Sequence, residues 1–145
     1  MAKLGTGGKP LLFDRLSSSG DTVSSSGLGL AEVRMSIQHS LSVLSSTRSP
    51  RSLERYLAGE LTTLDFGIPD FSSLSPGTES DRRLMARVML RAINAFEPRL
   101  SSPDVRALPS SPQAASLMRF EIQATVKLQH LSERLSFELG VNRAQ

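Results

Sequence analysis

The sequence predicts an α+β fold: helices packed on one face of a small antiparallel sheet of about three strands. Three observations predict it. Leu84, Met85, Val88, Met89, Ala92, Ile93 and Phe96 recur at spacings of three and four, the apolar stripe of a long helix on a core. After Pro98 the period changes to two: Met118, Phe120, Ile122, Ala124 and Val126 alternate with Arg119, Glu121, Gln123, Thr125 and Lys127. Leu131, Leu135, Phe137 and Leu139 repeat that alternation more weakly.

Taken in order, residues 1–29 read as an arm and linker, 30–140 as one domain and 141–145 as a frayed tail. Leu11–Leu16 is an apolar island between Gly-rich and Ser-rich tracts, with Leu12, Phe13 and Leu16 on one face of a single helical turn. A turn this short must dock on its own domain or on a partner. Ser17–Gly29 has linker composition. Leu30–Ser46 is a helix whose stripe is Leu30, Val33, Ile37, Leu41 and Leu44. Arg48-Ser49-Pro50 breaks it, and Ser52 can cap a short turn through Leu53, Tyr56 and Leu57 that Gly59 closes. In Leu64–Phe71, LDFGIPDF, glycine and proline impose a fixed loop that its apolar residues pin down. Ser80 can cap the long helix, and Pro98 ends it at the corner Phe96-Glu97-Pro98-Arg99-Leu100. Glu97 and Arg99 should project there. A carboxylate at a helix C-terminus opposes the dipole, so Glu97 needs a cationic or N–H partner, in this chain or another. Asp104–Leu108, between Pro103 and Pro109, is a short candidate strand.

Composition narrows the function classes. With 145 residues and no cysteine, the chain fits one domain without disulfides or thiolate chemistry. No apolar run approaches the roughly 18 residues of a membrane span. The pI near 9.9 invites a nucleic-acid reading. Net charge is only +3, though, acids are mixed among the bases, and neither a basic run nor an RNA-binding signature occurs. His39 and His130, far apart and without matched carboxylates, give no metal pattern. GTGGKP lacks the spacing and the hydroxyl residue of a phosphate loop, and Asp65-Phe66-Gly67 matches the kinase triplet by letters alone. No GxSxG elbow or HExxH occurs. Glu97 could face Asp65, Asp70 or Glu121 as a glycosidase pair only by guesswork. The sharpest charge feature is the row Arg83, Arg87 and Arg91, with Arg82 beside it. It reads as a solvated face helped by Glu79, or as a docking face for an acidic partner.

LDFGIPDF, the helix ending in FEPRL and the RFEIQATV strand resemble the small baseplate-wedge protein of contractile injection machines: the TssE subunit of type VI secretion systems and its phage-tail relatives. LLFDRL looks like the arm that opens many secretion-type members. The resemblance spans Leu11 to Leu139 and is most specific at Gly67-Ile68-Pro69-Asp70 and Glu97-Pro98-Arg99. It implies a cytoplasmic, non-catalytic structural subunit with no cofactor. Its partners would be other baseplate wedge proteins and the contractile sheath, met through Glu97, Pro98 and Arg99 and through Leu12, Phe13, Asp14, Arg15 and Leu16 of the arm. The family carries a "lysozyme-like" label, yet no Asp here has a Glu nine residues before it, as phage lysozymes do. A peptidoglycan-cleaving enzyme and a basic nucleic-acid-binding module remain the competing readings.

Overall fold

The computed structural model describes residues 29–110, 116–128 and 131–142. Within them the chain forms α1 (Leu30–Ser46), α2 (Leu53–Ala58), a 3-10 turn (Thr63–Asp65), α3 (Glu79–Phe96), and then β1 (Leu100–Leu108), β2 (Leu117–Leu128) and β3 (Leu131–Asn142). The strands form one antiparallel sheet in the order β1-β2-β3. The α+β expectation therefore holds. The arm Leu12, Phe13, Asp14, Arg15 and Leu16 and the linker to residue 28 lie outside the described residues.

Period-two burial makes the sheet one-sided. Met118, Phe120, Ile122, Ala124 and Val126 are all inaccessible or nearly so, and they meet Phe137, Leu139 and Val141 of β3 on the same face. Val105-Ile122-Phe137 and Ala107-Phe120-Leu139 run across all three strands. Apolar rows of this kind are the unit that holds a sheet together. The opposite face is polar, with ion pairs Arg119–Glu138 (3.3 Å) and Arg106–Asp104 (3.5 Å).

Two helices cover the apolar face. α3 lies along β1 and buries Met85, Val88, Met89, Ala92 and Ile93; α1 lies along β3 and buries Val33, Ile37, Leu41 and Leu44. At the start of α1, the Gly29 N–H donates to Glu32 Oε2 (2.9 Å), satisfying an orphan donor of the first turn.

The structure corrects three boundaries. α3 starts at Glu79 with Thr78 as its N-cap, so Ser80 lies inside the first turn. β1 begins at Leu100, four residues earlier than its alternation suggests. Its pairing shifts between Ser101 and Asp104, where Ser102 takes a positive φ of 49° beside Pro103. A bulge absorbs the extra residues and breaks the period. β3 runs on to Asn142, because Val141 packs opposite Met118. No helix among the described residues is long and apolar enough to cross a membrane.

Candidate docking surfaces

The corner after α3 is turned inward. The Glu97 N–H closes the helix on the Ile93 carbonyl (2.8 Å), and its side chain is only 4% exposed. Arg99 grips that carboxylate with two bonds, Nε to Oε1 (2.7 Å) and Nη2 to Oε2 (2.9 Å). The same guanidinium donates to Ser36 Oγ and Ser40 Oγ, both at 2.9 Å. Those serines stand one turn apart on α1. Glu97 thus finds its cationic partner within the chain, and the pair ties the end of α3 to α1 instead of projecting. Pro98 alone is left exposed at the turn. The helix stop at Pro98 and the dipole argument point to Glu97 and Arg99, but not to Ser36 and Ser40, some sixty residues earlier.

A second internal pair fixes the loop before α3. Arg51 Nε donates to Asp65 Oδ1 (2.6 Å), and the Thr62 N–H and hydroxyl donate to Asp65 Oδ2, both at 2.8 Å. The Arg51 hydrogen bond, followed by the Thr62 N–H, holds the Asp65 carboxyl below the usual range. A depressed folded value means stability that is present above the unfolded value near pH 4 and lost as pH falls through the folded one. Asp65→Asn is therefore expected to lower the thermal midpoint near neutral pH. The gap to wild type should shrink as pH is taken below about 4. A gap unchanged down to about pH 2 would mean that ionised Asp65 is not what holds the loop.

These pairs bear on the enzyme reading. A glycosidase acid must have its pKa raised. Asp65 and Asp70 shift the other way, Asp70 through the Ser72 hydroxyl and N–H. Glu97 is committed to Arg99, and Glu121 lies on the polar face of the sheet, opposite Arg106.

The two edges of the sheet differ. On β3, the Ser136, Glu138 and Asn142 carbonyls accept from the side chains of Arg34 (3.4 Å), Gln38 (3.2 Å) and Arg48 (2.7 Å). Residues two apart aim their carbonyls to the same side of a strand, so this edge is partly occupied by α1 and the turn after it. β1, by contrast, borders an open groove of about 430 Å³ against α3, lined by Arg82, Arg83, Ala86, Val105, Arg106 and Ala107 among others.

Comparison with known proteins adds the family. The model of the baseplate wedge protein gp25 family matches residues 31–131, from α1 to the start of β3. The chain belongs to that family. Two solved structures share its fold. One is a chain of the baseplate complex from the type VI secretion system, at 16% identity and a TM-score of 0.52, covering 77% of this chain and 96% of that one. The other is a Geobacter sulfurreducens protein labelled a tail lysozyme, at 17% identity and a TM-score of 0.53, covering 87% of this chain and all of that one. No curated protein matches.

Proposed function

We propose that this wedge-family chain is a non-catalytic, TssE-like subunit of a type VI secretion baseplate on the cytoplasmic side. It joins sister wedge proteins and helps start sheath assembly. The family match carries the reading, and the fold shared with a chain of a type VI secretion baseplate complex favours the secretion branch. Sheath contact falls to β1, whose groove leaves room for an added strand, while α1 side chains occupy carbonyls of β3. Wedge contact falls to the corner, where Pro98 is exposed and the Glu97–Arg99 pair beneath it fixes its position. The arm Leu12–Leu16 supplies a second wedge contact.

The test is a pull-down of purified chain with the candidate wedge and sheath proteins, run on wild type and Glu97→Ala. Wild type is expected to retain both. Glu97→Ala strands a partly buried guanidinium and should cost the isolated protein about 2–3 kcal/mol, discounted because Arg99 keeps some solvent contact. It should also weaken wedge retention under conditions where it stays folded. Full retention by folded Glu97→Ala removes the corner from the interface and leaves the baseplate reading standing. Wild type that retains no wedge protein overturns the reading itself, as does cell-wall turnover abolished by one carboxylate substitution.

A further inference from the structure

The solvent side of α3 holds a feature that neither the sheet edge nor the corner uses. Arg87, Leu90, Arg91 and Asn94 fall on one helix face, away from the stripe Met85, Val88, Met89 and Ala92. With Leu57 of α2 they line a pocket of about 280 Å³. Leu57 and Leu90 are its apolar members, both partly buried. No carboxylate lines it, and among the described residues neither Arg87 nor Arg91 makes an ion pair. Arg91 Nη2 donates to the Gly59 carbonyl, which fixes the guanidinium at the rim. Its Nε is enclosed and meets no acceptor among the described residues.

A solvated arginine face would carry acids three or four residues away, as Glu79 serves Arg83. Positions 83 and 91, four from Arg87, are both arginine, and positions 84 and 90 are leucine. Like charges at this spacing oppose the helix unless an anion sits between them. Two guanidinium groups bind carboxylates through paired N–H bonds. The leucines beside them suit an aliphatic side chain better than a phosphate backbone.

We propose that this pocket docks an acidic protein segment, with a carboxylate on Arg87 and Arg91 and a neighbouring aliphatic side chain on Leu57 and Leu90. The proposal goes beyond the baseplate reading and stands whether or not that reading does. Its test is fluorescence anisotropy with the full chain and three labelled probes: a short peptide alternating leucine with glutamate, the same peptide with glutamine for glutamate, and oligothymidine. The glutamate peptide is expected to bind at least about tenfold more tightly than the glutamine one. Arg87→Glu should remove that advantage, while Arg55→Glu, exposed on α2 outside the pocket, should keep it. Thermal midpoints of both variants establish that they are folded. No binding of the glutamate peptide, equal binding of the two peptides, or equal loss in both variants overturns the proposal. Tighter binding of oligothymidine also overturns it and points to phosphate instead.

Discussion

Ile122→Asp is expected to abolish the cooperative unfolding transition of this protein or lower its midpoint by roughly 20 °C. Ile122 lies in the central strand, between Val105 and Phe137, and has no exposed surface. Removing its side chain from a packed core alone costs about 2–5 kcal/mol. Placing a carboxylate there adds several kcal/mol of desolvation, and the neighbouring side chains Val105, Phe120, Ala124 and Phe137 offer no donor. Together these rival the 5–15 kcal/mol that holds a typical domain. The neighbouring Gln123→Asp should cost far less, about 1 kcal/mol: Gln123 faces the polar side, where a new carboxylate meets only screened repulsion from Asp104 opposite it and from Glu121, to which Gln123 now donates. Circular dichroism melts of both variants check the pair. A stable Ile122→Asp with an unfolded Gln123→Asp would place the core on the other face of the sheet.

That contrast is legible in the sequence because β2 keeps strict period two and has a strand on either side. The stripe of α3 is legible because its spacings of three and four run unbroken from Leu84 to Phe96, and its end is legible because Pro98 cannot extend a helix. What the sequence hides is non-local. The start of β1 disappears because Ser101-Ser102-Pro103 spends extra residues on a bulge, so no alternation survives there to be read. The charges at the corner are visible, but the direction they turn depends on Ser36 and Ser40, which look like any other serines on α1. The arginine row on α3 is visible too. Its pocket is not, since Leu57 comes from a different helix. The LDFGIPDF loop falls between these cases: glycine and proline announce a fixed turn, but not what the turn is pressed against.

That loop gives the second large effect: Gly67→Ala is expected to cost about 4 kcal/mol. Gly67 has a φ of +110°, a conformation that side chains with a Cβ resist. Such backbone strain costs about 1–3 kcal/mol. The added Cβ would also stand 2.5 Å from the Thr47 carbonyl oxygen, 2.8 Å from its carbon and 3.0 Å from the Ser49 nitrogen. All three are backbone atoms, so no rotamer change relieves the contact, and overpacking of this kind costs about 1–3 kcal/mol more. The atoms displaced are those that join the loop to the end of α1. The Ile68 N–H donates to the Thr47 carbonyl and the Ser49 N–H to the Ile68 carbonyl, both at 2.9 Å. The buried Tyr56 hydroxyl donates to the Gly67 carbonyl at 2.7 Å, and burial pushes that phenol up to about 12. Moving the loop away from Thr47 therefore strains a second buried hydrogen bond. It also loosens Phe66, which packs edge-on against Phe96 at 5.3 Å, one residue before the Glu97 corner. Gly77→Ala is the matched control: a Cβ there meets only the Ser75 hydroxyl, at 3.6 Å. Urea unfolding of both variants is the measurement. The expected result is a large fall in midpoint for Gly67→Ala, an unchanged slope, and little change for Gly77→Ala. A loss below about 1 kcal/mol at Gly67 would mean that the loop can leave Thr47 without cost, and that the two hydrogen bonds joining Ile68 to Thr47 and Ser49 do not hold it.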